Sequence, residues 1–357
     1  MTIYVVDLEK LETRYTSEWA DHVPEQLRQT TSEEVISISG PDNIPSKPTP
    51  GMFLNFSATN VYKAVQVEKI SRMFCEGKVK DGDYFLFTDA WHPGVINLKY
   101  MIELLGIKAK VGGLWHAGSY DPNDGLGRLI GDKPWVRHAE QSMYFCYDHN
   151  FFASNFHINM FFEALFYTKF NPARHGADRV VRTGWPMEYL QENLSKFAGQ
   201  PKENLILFPH RIAPEKQVEI FRDLAKEMPE YKFVVCQDTE LTKDEYHSLL
   251  GRAKLVFSAN LQETLGISWY EGACVGAIPM VPNRLSYSEM GRDVFKYPSK
   301  WTEDFAAYCE NKQAVKARIK GYMENYDRYL PAIAKQKEVL AKEFFSGDTM
   351  YGTIKGR

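Results

Sequence analysis

The chain has 357 residues, 44% of them hydrophobic and 25% charged, and a formal net charge of −3. That is the composition of an ordinary soluble protein, long enough for two domains and a real core. It gives no global attraction to nucleic acid or to an anionic membrane and leaves only a local basic groove for such partners. No apolar run approaches the ~18–20 residues of a membrane span, and no basic segment followed by an apolar stretch opens the sequence, so a cytoplasmic location without membrane insertion is expected. The five cysteines (Cys75, Cys146, Cys236, Cys274 and Cys309) show no CxxC spacing and read as reduced core residues.

Apolar β-rich runs alternate with helical patterns, which predicts α/β units on parallel sheets. Strands are expected at residues 3–6, 52–56, 84–88, 109–115, 142–147 and 180–183, then at 205–208, 232–236, 255–258 and 277–281. Each set suffices for its own doubly wound sheet. The polar stretch 188–204 interrupts the rhythm and reads as the link between them. The expected division is therefore 1–190 and 191–325, followed by a C-terminal helix and tail, 326–357, that packs back on the first domain.

Open α/β sheets bind ligands beyond the carboxyl ends of their strands. In the first half those positions hold Asp89 and His92, then His116, Ser119 and Asp121. The stretch Asn55 to Asn60 reads either as site lining or as a helix cap. Asp81-Gly-Asp83 has the outline of an Asp-x-Asp metal motif, but it precedes a strand and contains a turn glycine, which favours a surface turn and no metal.

In the second half, strand 205–208 runs into a loop with Arg211 and Lys216, two cations placed to neutralise a diphosphate. Farther on, Leu261-Gln-Glu-Thr-Leu-Gly-Ile-Ser-Trp-Tyr-Glu271 holds Glu263 and Glu271 in an otherwise apolar segment rich in small residues. Carboxylates buried there need partners. If a helix begins near Thr264, its unpaired N–H groups form an anion site beside Glu263, and Glu271 lies ~8–10 Å farther along. A phosphate flanked by two sugars, as in a nucleotide sugar, suits that spacing. Helix capping by Glu263 and a buried ion pair at Glu271 are the plainer readings.

Arg211 and Lys216, then Tyr246 through Ser258, then Gln262-Glu263-Thr-Leu-Gly266, Glu271, Gly276 and Pro279 resemble, in this order, the donor half of retaining GT-B glycosyltransferases, especially glycosyltransferase family 4. The resemblance implies an α/β GT-B fold: two Rossmann-like doubly wound domains facing an interdomain cleft. It further implies a retaining, metal-independent transfer from a nucleoside diphosphate sugar, taken as a UDP-sugar, with no other cofactor. Arg211 and Lys216 would hold the diphosphate with the amides of Thr264, Leu265 and Gly266. Glu263 would bind the transferred sugar, Glu271 the ribose, and His116 would stand beside the reacting sugar. The glycine-rich loop common after the family's first strand is missing. Arg14 and Tyr15 stand there instead, either as side-chain contacts to donor phosphate or acceptor, or as a solvated helix start.

On the acceptor side, residues 12–19, 115–121 and 281–290 resemble a subgroup common in bacteriophages, which would place the protein in the host cytoplasm. Some phage glycosyltransferases modify 5-hydroxymethylpyrimidines in DNA, reaching an extruded base. Lys169, Arg174, His175, Arg179 and Arg182 follow the aromatic run 144–170 and suggest a basic aromatic surface, although most of those aromatics suit a core. A lipid, glycan or small-molecule acceptor is the alternative. A nucleotide-sugar epimerase and a noncatalytic nucleotide-sugar-binding module are the alternatives from other classes. Oligomeric state leaves no signal in the sequence.

Overall fold

A computed structural model describes residues 1–11, 15–45, 47, 49, 54–131 and 133–356. The chain divides into two compact units, Met1–Met187 with Gly347–Arg357, and Glu188–Ser346.

In the first unit β1 (Thr2–Val6), β2 (Glu34–Ile38), β3 (Tyr84–Phe87), β4 (Lys110–Leu114), β5 (His149–Phe152) and β6 (Val180–Arg182) form a parallel sheet in the order β2-β1-β3-β4-β5-β6. All of β3 is buried, as a strand covered on both faces must be. Two glycines in β4 permit close packing: a Cβ on Gly112 would stand 2.2 Å from the Tyr84 hydroxyl, and one on Gly113 2.6 Å from the Tyr147 ring. The chain steps outward from β1 to β2 and then reverses to β3, so the switch point lies between β1 and β3.

The second unit repeats the device. β7 (Glu203–Phe208), β8 (Lys232–Val235), β9 (Ala253–Phe257), β10 (Ile278–Pro282) and β11 (Lys296–Tyr297) are parallel in the order β11-β10-β9-β7-β8, with the reversal between β7 and β9. Ile206, Phe208, Leu255, Phe257, Ile278 and Met280 form the centre of its core.

Several elements differ from expectation. Residues 142–146 end the helix Pro134–Cys146, whose Val136, Glu140, Met143 and Tyr144 are buried at helical spacing, and the strand follows as β5. Phe56 opens the helix Phe56–Cys75, capped by the Asn55 side chain on the Ala58 amide at 3.0 Å, whereas 52 and 53 lie outside the described residues. The edge strand β2 exposes Glu34, Ile36 and Ser37, which hides its pattern. The supposed link contains the helix Tyr189–Ala198, with Leu190, Leu194 and Phe197 buried. The helix Tyr326–Glu343 belongs to the second unit, where it packs on Ile267–Cys274; only Asp348–Lys355 joins the first unit, against the helix Thr16–Thr30 and β6. Gln336 explains that placement: its amide donates to the Met290 carbonyl at 2.9 Å and its oxygen accepts the Arg292 N–H at 2.7 Å. No helix among the described residues is long and apolar enough to cross a membrane.

Candidate functional site

At the carboxyl edge of the second sheet, the segments after β7 and β9 meet the helix Ile267–Cys274. Glu263 Oε2 accepts from Lys216 Nζ at 3.2 Å and from Asn260 Nδ2 at 3.1 Å, and its Oε1 accepts the Gly266 N–H at 3.0 Å. Glu263 therefore caps the turn before the helix and pairs with Lys216 at once. Burial pushes its carboxyl up, but the Lys216 ammonium and the hydrogen bonds outweigh this and hold it below its ordinary value. Gly266, at φ 81°, makes the turn possible. Its amide is already committed to Glu263, whereas among the described residues the amides of Thr264, Leu265, Ile267 and Ser268 meet no acceptor. Those N–H groups, with the helix dipole behind them, favour an anion.

Lys216 Nζ also donates to the Gln262 carbonyl. Arg211 pairs with the buried Glu215 four residues on. Glu271 lies on the helix, where Gly272 permits close approach to β9: a Cβ there would meet Val256 at 2.6 Å. The Tyr246 hydroxyl donates to Glu271 Oε2 at 2.8 Å, and His247 Nε2 stands 3.7 Å from Oε1. The fold thus brings Lys216, Glu263 and the helix N-terminus together, with Arg211 on the same loop as Lys216 and Glu271 down the helix.

Asn260, His210, Tyr246 and Tyr287 complete this edge without having been assigned a role by sequence reasoning. His210 is buried, and burial, aided by Lys216, depresses its imidazole to about 3, so it is neutral. Its Nδ1 is 3.4 Å from both Asn260 Nδ2 and Ser268 Oγ. Arg284, in a loop expected on the acceptor side, instead turns onto the carbonyls of Ala259 and Asn260. These are tertiary contacts with no periodic signature.

The remaining candidates occupy the first unit. His116 Nε2 lies 2.6 Å from the Thr88 carbonyl, which can only accept, so Nε2 carries a proton, and Nδ1 lies 3.0 Å from the Tyr15 hydroxyl. Tyr15 stacks on Trp185 at 5.2 Å and meets Trp19 edge-on. Asp89 accepts from Lys63 Nζ at 3.2 Å and from the Trp91 N–H at 3.0 Å. Burial raises its carboxyl, but Lys63 and His116 with the Trp91 amide hold it below its ordinary value. His92 is buried and neutral, depressed by burial to about 3; it bonds Gln66 through Nε2 at 3.1 Å and accepts the Gly94 N–H. Both of its ring nitrogens are thus bonded within the first unit.

Ser119 donates through N and Oγ to Glu140, at 2.7 Å each, and Trp91 Nε1 donates to the same carboxylate at 2.8 Å. Glu140 thereby ties the loop of His116 to the loop of Asp89. Asp121 accepts the Asn123 N–H at 2.9 Å and shapes a turn. Arg14 lies outside the described residues. Asp83 accepts the Lys80 N–H at 2.8 Å across Gly82 at φ 87°, the turn expected there, and the two carboxylates also accept the N–H groups of Thr2 (Asp83) and Lys108 (Asp81) at 2.8 Å each.

The basic residues expected to form one aromatic surface are divided between the two edges: Lys169, Arg174, His175 and Arg179 precede β6 and stand at the amino edge of the sheet, whereas Arg182 ends β6 at the carboxyl edge, on the side of His116 and Asp89. His175 packs on Phe162 at 4.6 Å. Tyr144, Phe161 and Phe162 belong to the core, while Phe145 and Tyr167 are exposed.

No protein-family model and no curated protein matches the chain. Solved structures do. The catalytic domain of starch synthase IV from Arabidopsis thaliana, bound to ADP and acarbose, aligns with TM-score 0.61 at 10% identity over 100% of this chain and 99% of its own. Sucrose-phosphate synthase from Thermosynechococcus elongatus aligns at 0.57 and 10% identity over 100% and 98%. Anabaena HepE in complex with UDP and glucose gives 0.57 and 11% over 100% and 99%. With its two parallel, doubly wound sheets, the chain has the GT-B fold of these glycosyltransferase structures.

Proposed function

We propose that the protein is a glycosyltransferase that moves a sugar from a nucleoside diphosphate sugar to an acceptor hydroxyl in the cytoplasm. The observation that carries this reading is the meeting of Lys216, Glu263 and the N-terminus of the helix Ile267–Cys274 at one sheet edge, with Glu271 down that helix. Arg211, Lys216 and the free amides of the helix N-terminus would stabilise the charge that leaves on the diphosphate, which is the principal catalytic demand and needs no metal. Glu263 orients the transferred sugar and Glu271 the ribose. Transfer proceeds with retention, the leaving phosphate taking the acceptor proton on the face it departs from. A UDP-sugar is the donor and a 5-hydroxymethylpyrimidine in DNA the acceptor; both follow from the sequence resemblance.

The test uses two isosteric variants. Glu271→Gln is expected to weaken UDP binding about tenfold, and Glu263→Gln to leave it within about threefold while lowering turnover of the nucleotide sugar about 100-fold. Wild-type turnover in both would sink the site assignment. Incubating the protein with a panel of nucleotide sugars and DNA containing 5-hydroxymethylcytosine, followed by nucleoside mass spectrometry, tests the acceptor; no mass gain with any donor excludes DNA.

A further inference from the structure

Gln217 directly follows Lys216 and has a left-handed backbone, φ 53° and ψ 48°. Side-chain-bearing residues rarely adopt it, and glycine would do so without strain. The buried Gln217 amide donates to the Ala259 carbonyl at 2.6 Å and to the Thr302 carbonyl at 2.8 Å. Arg284 approaches the same loop from beyond β10. It donates through Nε to the Asn260 carbonyl at 2.7 Å, through Nη2 to the Ala259 carbonyl at 2.6 Å and Thr302 Oγ1 at 3.2 Å, and through Nη1 to the Ser299 carbonyl at 2.9 Å. Every acceptor is neutral, and no carboxylate pairs with Arg284 among the described residues. Its planar fork is matched to a backbone shape rather than to a charge.

We propose that Gln217 and Arg284 are positioning residues that clamp the loop 259–263 so that Glu263 meets the donor sugar in a fixed place. The inference rests on the donor site described above. Consecutive residues grip the two ends of one loop: Lys216 holds Gln262 and Glu263, and Gln217 holds Ala259. The left-handed turn re-aims the second side chain so that both reach it. Two donors converge on the Ala259 carbonyl, which ties the segments after β7, β9 and β10 at a single atom. Because Glu263 faces the transferred sugar and Glu271 the nucleoside, a loosened clamp lowers turnover more than nucleotide affinity.

The experiment uses the full chain and measures binding of UDP, ADP and GDP by calorimetry, nucleotide release from UDP-glucose, UDP-N-acetylglucosamine, ADP-glucose and GDP-mannose, and melting temperature. Gln217→Gly relieves the backbone strain and removes both hydrogen bonds. It is expected to lower the melting temperature by no more than about 5 °C, strain relief offsetting part of the lost hydrogen bonding, to change nucleotide affinity less than about twofold and to lower turnover about tenfold. Gln217→Glu keeps the length but sets a carboxylate against two carbonyls, and is expected to lose more turnover than the glycine variant. Arg284→Lys, which keeps charge without the fork, is expected to fall between wild type and Gln217→Glu. Unchanged turnover in Gln217→Gly overturns the clamp alone, as does a parallel loss of turnover, affinity and melting temperature. A wild type that binds none of the nucleotides, or releases nucleotide from none of the sugars, overturns the donor site and the clamp with it.

Discussion

Glu263 carries two duties that pull on the same carboxylate, and Gly266 is what reconciles them. Alanine at Gly266 would hold a Cβ at φ 81° and 3.0 Å from the Tyr287 ring, so Gly266→Ala is expected to cost about 1–2 kcal/mol, read as a lower melting temperature, and to shift the amide that Glu263 accepts. The carboxyl itself predicts an acid limb. Its folded-state pKa lies below the ordinary 4.5, so its contribution is complete above that value and is lost as pH falls through the depressed one. Stability curves of wild type and Glu263→Gln should run parallel above about pH 5 and converge on acidification. The charged members of this site were legible because glutamates in an apolar, glycine-rich segment and cations after a strand stand out from their surroundings. The pairing was not: Lys216 meets Glu263 across 47 positions only because β7 and β9 are neighbours in the sheet. His116 shows the converse, a histidine whose two ring nitrogens are both engaged in ways that no spacing announces.

Strand ends and helices in the first unit are joined by a buried polar hub. Asp7, just past β1, accepts from Ser39 beyond β2, from the Tyr62 hydroxyl at 2.6 Å and from Gln66 Nε2 at 3.2 Å on the helix Phe56–Cys75. Burial pushes the Asp7 carboxyl up to about 6 against those hydrogen bonds. Between its ordinary 3.8 and about 6 the folded state therefore holds the proton more tightly than the unfolded chain, so the hub's contribution is full below that window and declines as pH rises through it. Asp7→Asn is expected to remove this decline, seen as a flatter dependence of unfolding free energy on pH between 4 and 6 in the variant than in the wild type. Such hubs escape sequence reading because Ser39, Tyr62 and Gln66 are unremarkable residues until the elements pack. The elements were read best where burial is two-sided, as in β3 and β7, and worst where it is not. The edge strand β2 lacks a clean alternation, and the apolar run 142–147 is too short for its period to separate helix from strand.

The whole chain holds two units with separate cores, and the first is discontinuous, since Asp348–Lys355 lays Met350, Tyr351 and Ile354 into it. Deleting residues 347–357 is expected to lower the stability of that unit by about 3–6 kcal/mol, the order lost when several large apolar side chains are left without partners, while the transition of Glu188–Ser346 stays in place. Scanning calorimetry of the truncated protein would show one transition moved and the other fixed; a uniform shift of both would count against separate cores. The interruption also inverts the order of maturation during synthesis. When residue 346 has been added, every residue of the second unit has been synthesised, yet the unit that begins at Met1 still lacks its closing helix. The part of the protein made first is thus the part completed last, and during that interval the face of the helix Thr16–Thr30 and of β6 that meets Asp348–Lys355 is the surface a chaperone or protease would meet.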